Sequence, residues 1–148
     1  MSSVRILVVE DFEPWRRFIS SMVEQEPQLR IICEVSDGLE AVQKAKELQP
    51  DLIFLDIGLP SLNGLDVARR IRRFSPKSKI LFLSQESSSA VAREALGIGA
   101  GFVVKTDAGR ELLSAVKAVI LGQQFVSSRL IGHTFEEAAG GLVAEGLQ

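Results

Sequence analysis

The sequence predicts an α/β domain with a doubly wound parallel sheet and helices on both of its faces. Five short apolar runs alternate with segments in which apolar residues recur at helical spacing. Several of these runs are apolar at successive positions, which is typical of parallel strands covered on both faces. The alternation favours three layers joined by right-handed crossover connections. The predicted strands are residues 4–9, 29–35, 52–55, 80–83 and 101–104.

Helices are predicted between these strands, in the order βαβαβαβαβα, and the last helix ends near Gly122. Pro14 lies where the first turn of a helix tolerates proline. The first, third and fifth helical segments each carry an apolar stripe, and arginines flank the stripe of the third. The stripes consist of Trp15, Phe18, Ile19, Met22 and Val23, of Leu65, Ala68 and Ile71, and of Leu112, Leu113, Val116, Val119 and Ile120.

Length and composition are those of one globular domain. The chain has 148 residues, 46% of them hydrophobic, and its net charge of −2 gives no overall positive field for binding nucleic acid. No apolar run approaches the roughly 20 residues that span a bilayer, and the early acidic pair is unlike a secretory signal, so we expect a cytoplasmic protein. Cys33 and His133 are single residues of their types, which excludes an internal disulfide and a Cys/His zinc site within one chain.

Polar side chains stand at the ends of four predicted strands. Glu10 and Asp11 end the first strand, Asp56 the third, Ser84 the fourth and Lys105 the fifth. Ligands of open parallel sheets bind at the carboxyl ends of the strands, so we expect these side chains to meet there. Each residue alone has an ordinary alternative as a helix N-cap, a turn residue or a solvated loop lysine. The prediction of a site therefore depends on their joint occurrence.

This combination of side chains favours phosphoryl chemistry with a divalent ion. Three adjacent carboxylates repel one another unless a cation neutralises them, and oxygen ligands favour Mg²⁺ where phosphate is handled. A carboxylate can act as a nucleophile toward phosphorus. The oxygens of the transferring phosphoryl group then need a cation and a hydroxyl donor, which Lys105 and Ser84 supply.

The same residues resemble the receiver domain of two-component response regulators. Residues 6–11 resemble the family's first strand with its acidic pair, and Asp56 is followed by Pro60 and Gly64 at the fourth and eighth positions, as in the phosphoacceptor motif. Ser84 matches the switch hydroxyl, and residues 99–105 match the last strand with its aromatic residue and lysine. The likeness runs from about residue 4 to residue 122 and is closest in style to receivers of helix-turn-helix regulators.

The resemblance implies a flavodoxin-like, five-stranded sheet of order 2-1-3-4-5. It implies that Asp56 accepts a phosphoryl group from a histidine kinase or a phosphotransfer protein. Asp11, Asp56 and the backbone carbonyl of Gly58 would ligate Mg²⁺ directly, and Glu10 would act on the ion mostly through water. No other cofactor is implied.

The resemblance also assigns the remaining residues of the site. Ser84 and Lys105 would hold the phosphoryl oxygens. Ser84 and Phe102 would form the switch, in which Phe102 moves inward when Ser84 is drawn to the phosphate. The surface of helix 4, strand 5 and helix 5 is the family's usual dimer face, so a homodimer through it is a further expectation.

The predicted function is a phosphorylation-controlled switch that changes partner binding or self-association, without enzyme activity beyond slow self-dephosphorylation. The alternative is a phosphorylation-independent interaction module with a receiver fold. Gln85 beside the switch hydroxyl and Glu10 in place of the more frequent aspartate favour the alternative, whereas Ser84, Lys105 and the complete acidic set oppose it. A metal-dependent phosphohydrolase is a weaker candidate, because no substrate-pocket motif is visible.

Residues 4–122 are predicted to be the receiver domain, and residues 123–148 a C-terminal extension or truncated linker without a complete effector domain. We therefore expect neither a membrane contact nor a direct nucleic-acid contact by this chain. The pattern leaves open whether the chain is a stand-alone receiver or the excised receiver of a DNA-binding regulator, and which kinase is cognate. Thr134 and Glu137 are spaced as a capping box in the extension.

Overall fold

The structure is a parallel sheet between two layers of helices. The computed structural model describes residues 3–60 and 62–131. The strands are β1 (Val4–Val9), β2 (Leu29–Val35), β3 (Leu52–Asp56), β4 (Lys79–Ser84), β5 (Gly101–Val104) and β6 (Phe125–Val126). The helices are α1 (Glu13–Val23), α2 (Gly38–Leu48), α3 (Gly64–Phe74), α4 (Ser89–Ile98) and α5 (Ala108–Ile120), and a 3₁₀ turn (Lys105–Asp107) joins β5 to α5.

The order of the strands is β2-β1-β3-β4-β5-β6, and every pair of neighbours is parallel. The α/β fold and the order of the first five strands are as predicted. The predicted count of five strands is wrong, because Phe125–Val126 pairs with β5 as a sixth strand. A strand of two residues carries too little apolar pattern to be recognised in a sequence.

Apolar side chains of the strands alternate between the two faces of the sheet. Leu7 and Val9 belong to one buried cluster with side chains of α2, α3 and α4. Ile6 and Val8 belong to a second cluster with side chains of α1 and α5. Burial on both faces explains why the strands are apolar at successive positions, and it fixes the helices relative to the carboxyl ends of the strands.

The helices that follow β3 and β4 begin at capped positions. The side-chain oxygen of Asn63 accepts a hydrogen bond of 3.0 Å from the N–H of Asp66, and the hydroxyl of Ser88 accepts one of 3.2 Å from the N–H of Val91. Each cap satisfies a backbone donor that the first helical turn leaves without a partner. The caps therefore set where the loops after β3 and β4 end, and these loops border the site.

Residues 125–131, called here the C-terminal strap, lie against the free edge of β5. The N–H of Ser127 donates to the carbonyl of Phe102 at 2.9 Å, and the hydroxyl of Ser127 accepts from the N–H of Val104 at 2.8 Å. Val126 and Leu130 are buried in the cluster that contains Phe102. The sheet and its core thus continue past residue 122, the predicted end of the receiver.

Charged groups at and just before the start of α5 anchor the strap. The carboxylate of Asp107 is 1% exposed and accepts hydrogen bonds of 2.7 and 2.8 Å from Arg129 and one of 2.6 Å from Arg110. Glu111 accepts hydrogen bonds from the backbone N–H and the hydroxyl of Ser128. Hydrogen bonds from Arg129, followed by its charge and by Arg110, hold the pKa of Asp107 below its ordinary value despite burial.

We expect acid to weaken this anchor. Because the pKa of Asp107 is lower in the folded chain than in the unfolded chain, its stabilising contribution is complete above about pH 4 and is lost as the pH falls through the folded-state pKa. Urea unfolding at pH 7 and from pH 4 to pH 2 measures this effect. The difference in unfolding free energy between the parent and Asp107→Asn is expected to shrink as the pH falls. The same change at Asp66, an exposed partner of Arg69, is the matched control, and an undiminished difference at pH 2 would contradict the prediction.

None of the helices within residues 3–60 and 62–131 has both the length and the apolarity to cross a membrane. The capping box expected at Thr134 and Glu137, and His133, lie outside the described residues.

Candidate functional site

The predicted polar residues meet in one cleft at the carboxyl ends of the strands. The cleft has a volume of about 420 Å³, and Gly58 is also part of its wall. Its strand-end residues are Glu10, Asp11, Asp56, Ser84 and Lys105. The parallel topology explains this arrangement, since β1, β3, β4 and β5 all end at the same edge of the sheet. Phe102 lies outside the cleft wall.

Asp56 is the last residue of β3, and its side chain is 7% exposed. One carboxylate oxygen, Oδ1, accepts a hydrogen bond of 3.0 Å from the N–H of Gly58. The other oxygen, Oδ2, lies 3.6 Å from Nζ of Lys105. The side chain is therefore held in one orientation at the floor of the cleft, with a donor on one oxygen and a cation beside the other.

Lys105 carries the buried positive charge of the site. It follows β5 in the 3₁₀ turn, and its Nζ lies 2.8 Å from Oε1 of Glu10 as well as 3.6 Å from Asp56. A buried ammonium is tolerated only where opposite charges replace its hydration. The two carboxylates do so here, and they aim the ammonium into the cleft.

Glu10 is fully buried and makes several contacts. Its Oε2 accepts a hydrogen bond of 3.1 Å from the N–H of Phe12, and its carbonyl accepts one of 2.8 Å from Arg16. Burial raises the pKa of Glu10, and the hydrogen bond from Lys105 opposes that rise. The longer side chain of glutamate thus reaches Lys105 directly, a contact that the sequence did not indicate.

The acidic residues fit a divalent cation. Carboxylate oxygens of Glu10, Asp11 and Asp56 all lie within 4.8 Å of one another, with Asp11 on the exposed side. Lys105 offsets only part of this negative charge. A set of oxygen donors without sulfur or imidazole suits a hard ion such as Mg²⁺, so the residues present fit the ion that the sequence indicated.

Ser84 faces the loop after β4. Its hydroxyl donates to the carbonyl of Glu86 at 3.0 Å and accepts from the N–H of Glu86 at 3.1 Å. These two bonds hold the hydroxyl at the side of the cleft, so a contact with a group on Asp56 requires the bond to the Glu86 carbonyl to break. The backbone of Glu86 was not identified from the sequence, because this turn depends on the path of the loop.

Phe102 is fully buried in this arrangement, within the same apolar cluster as Phe82 and Ala92. The ring thus already lies inward here, in the position that the resemblance implies when Ser84 is drawn to the phosphate. The strap explains the burial, because Val126 and Leu130 extend this cluster beside β5. A role of Ser84 and Phe102 as a switch stays a prediction.

Three apolar residues near the cleft were not assigned as site residues from the sequence, one directly before α1, one in α1 and one in α4. Phe12 and Val91 are part of the cleft wall, and Trp15 lies over Lys105, with Nζ 5.1 Å from the ring centroid. Phe12 directly follows the acidic pair, which is a signal for a position at the site. Val91 gives no such signal, because its place depends on how α4 packs.

Comparisons with known proteins agree with this geometry. Residues 6–117 match the family described as the response regulator receiver domain. The chain is 35% identical over 130 residues to protein-glutamate methylesterase/protein-glutamine glutaminase 2 of Carboxydothermus hydrogenoformans, a match that covers 80% of this chain and 37% of that protein. It is 30% identical over 135 residues to the transcriptional regulatory protein LnrK of Bacillus subtilis, covering 90% of this chain and 61% of LnrK. The chain thus spans less than two thirds of the length of these relatives.

A solved structure shows the same fold. The chain superposes with a TM-score of 0.87 and 28% identity on a two-component response regulator of the LuxR family from Aurantimonas sp. SI85-9A1, covering 93% of this chain and 99% of that one. The family match covers most of the chain and includes every strand-end residue of the cleft. This chain therefore belongs to the response regulator receiver domain family of two-component systems.

Proposed function

We propose that Asp56 accepts a phosphoryl group from a histidine kinase or a phosphotransfer protein, and that this modification controls the binding of partners. One observation carries the proposal: the buried carboxylate of Asp56 lies between the N–H of Gly58 and the ammonium of Lys105, at the floor of a cleft open to solvent. Burial of two carboxylates and a lysine together costs desolvation free energy, which favours a site in use over an idle one.

The contacts support a part for each residue in the transfer. An oxygen of Asp56 forms a bond to phosphorus while the bond from phosphorus to the donor nitrogen breaks, and the nitrogen retains the electron pair and takes up a proton. Lys105 neutralises charge on the phosphoryl oxygens, and Ser84 donates to one of them after leaving the Glu86 carbonyl. Asp11, Asp56 and the carbonyl of Gly58 would hold Mg²⁺, which supplies further charge neutralisation when bound.

Phosphoryl incorporation from acetyl phosphate tests the proposal most directly. Intact mass measurement is expected to show one added phosphoryl group when Mg²⁺ is present and none when the ion is chelated. Absence of incorporation under both conditions, in a chain that circular dichroism shows to be folded, would favour the phosphorylation-independent interaction module.

Mg²⁺ is expected to bind weakly and to depend on Asp11. Removal of this exposed carboxylate by Asp11→Ala leaves the buried Glu10–Lys105 pair intact, so the ion loses a ligand while the fold is kept. Calorimetry should show binding to the parent and a loss of at least about tenfold in affinity for the variant. Asp66→Ala, which removes an exposed aspartate of α3, serves as the control. Equal affinity in the parent and Asp11→Ala would contradict the ligand assignment.

The output surface differs from the simple α4–β5–α5 face expected from the sequence, because β6 covers the free edge of β5. We propose that phosphorylation changes self-association through the surface of α4, α5 and the C-terminal strap. Beryllofluoride with Mg²⁺, a stable mimic of the phosphoryl group, is expected to change the association constant about 5- to 150-fold, the usual range of a coupling between two sites. Sedimentation velocity with and without the mimic measures this change, and identical constants would exclude self-association as the output.

Two further proposals concern the surroundings of the domain. A phosphoryl donor of the histidine-kinase type indicates the cytoplasm as the compartment. The transcriptional regulator among the relatives favours a role in which the receiver controls a DNA-binding effector. The net charge of −2 gives the chain no overall attraction to DNA, so this control would act through protein contacts.

A further inference from the structure

Trp15 contacts Lys105, whose ammonium also lies beside the carboxylates of Glu10 and Asp56. Nζ of Lys105 lies over the indole ring, 5.1 Å from its centroid, which is within the range of a cation–π interaction. Tryptophan offers the strongest attraction of this kind among the side chains. The ring is therefore placed to attract the ammonium, and the chain contains no other tryptophan.

The position of the ring is fixed by its surroundings. Pro14 lies in the first turn of α1 and restricts the backbone there, and Arg16 binds the carbonyl of Glu10 at 2.8 Å. Phe18 packs edge-to-face on Trp15, with ring centroids 5.0 Å apart and an angle of 81° between the rings. The start of α1 thus binds the end of β1, and this attachment places the indole beside Lys105.

Lys105 also lies between two clefts. On one side is the phosphoacceptor cleft, and on the other is a second cleft whose walls include Trp15, Phe18 and Thr106. The side chain of Lys105 is only 4% exposed, so the ring and the carboxylates together take the place of water around the ammonium. Loss of the ring would open the ammonium to water from the second cleft.

We propose that Trp15 is a positioning residue for phosphoryl transfer, which keeps Nζ of Lys105 in the phosphoacceptor cleft and excludes water from it. This inference rests on the proposed role of Asp56. During transfer the ammonium exchanges part of its contact with Glu10 for the phosphoryl oxygens. The indole contact is available before and after this exchange, so it steadies the ammonium throughout.

The test compares three variants in single-turnover acyl-phosphate formation from acetyl phosphate with Mg²⁺. Trp15→Leu is expected to slow the maximal rate about threefold to tenfold with little change in the concentration for half-saturation, because Lys105 acts on the transferring group. Trp15→Phe keeps an aromatic face and should retain most of the rate. Phe18→Leu keeps an apolar neighbour beside the indole and leaves the pair of Trp15 and Lys105 intact, so it should leave the rate near that of the parent.

A spectroscopic measurement separates positioning from general packing. The ¹⁹F resonances of bound beryllofluoride report the donors around the fluorines, so Trp15→Leu should shift them and Phe18→Leu should not. In a Lys105→Met background, Trp15→Leu should have no further effect on the affinity for beryllofluoride.

The outcomes distinguish this inference from the proposed function. If the parent chain neither forms an acyl phosphate nor binds beryllofluoride, the proposed function is wrong. If the parent does both but Trp15→Leu matches it in rate and in ¹⁹F spectrum, only the role of Trp15 is overturned. An equal slowing by Phe18→Leu, or by Trp15→Phe, would likewise overturn it, because the effect would then come from packing and not from the aromatic face over Lys105.

Discussion

Replacement of Asp56 by asparagine is expected to abolish phosphoryl incorporation and to leave the fold intact. The amide oxygen of asparagine can still accept the hydrogen bond from the N–H of Gly58, and Lys105 retains Glu10 at 2.8 Å. The amide lacks the charge and nucleophilicity that attack on phosphorus requires. The change also removes the repulsion between Asp56 and Glu10, which contributes to the raised pKa of Glu10. Stability at neutral pH should therefore be unchanged or slightly higher.

Intact mass after incubation with acetyl phosphate and Mg²⁺ measures the loss, and thermal unfolding checks the fold. Asp66→Asn, the same chemical change at an exposed position of α3, is the control and should be phosphorylated like the parent. Incorporation at the parent's level in Asp56→Asn would show that the acceptor is another residue.

Replacement of Gly64 by alanine is expected to damage both the fold and the site. A Cβ at this position would lie 2.6 Å from Cα of Ile57 and would collide with the backbone carbonyl of Asp56, which no side-chain rotation can relieve. The N–H of Gly64 also donates to the carbonyl of Ile57 at 2.8 Å, so α3 and the residues after β3 are in direct backbone contact. Forcing an added methyl into such a contact costs about 1–3 kcal/mol, and the resulting shift moves the acceptor carboxylate.

Gly97 in α4 provides the matched control for Gly64. A Cβ there meets no atom within 4 Å, so Gly97→Ala should be neutral or should stabilise the chain by about 0.5–1 kcal/mol through the higher helix propensity of alanine. Urea unfolding gives the free energies of both variants. The rate of acyl-phosphate formation then shows whether Gly64→Ala also displaces Asp56. Equal stability of the two variants would contradict the contact inferred at Gly64.

The sequence by itself determined the α/β class, the first five strands and the strand-end residues of the cleft. The reason is that these features depend on local pattern and on topology. Apolar periodicity distinguishes strands from helices over a few residues, and parallel strands necessarily end at one edge. The spacing of Pro60 and Gly64 after Asp56 added the resemblance to receivers. The structure gives a physical reason for the glycine at the eighth position after Asp56, because a Cβ at Gly64 would collide with the backbone of Asp56 and Ile57.

The tertiary structure alone decided the sixth strand and its anchor. Phe125–Val126 is too short to form a strand without the free edge of β5 beside it. The bonds from Arg129 to Asp107 join residues 22 positions apart, across α5, and no local pattern encodes them. Packing of the strap beside β5 also contributes to the complete burial of Phe102.

The contacts within the site were likewise decided by the tertiary structure. Glu10 and Lys105 lie far apart in the chain, and their 2.8 Å contact exists because β1 and β5 end on the same edge with Asp56 between them. Ser84 bonds to Glu86 because the loop after β4 turns back on itself. Trp15 faces Lys105 because α1 packs against the same face of the sheet as α5. Sequence patterns identify which side chains reach the site, whereas their mutual orientation depends on the packing of elements distant along the chain.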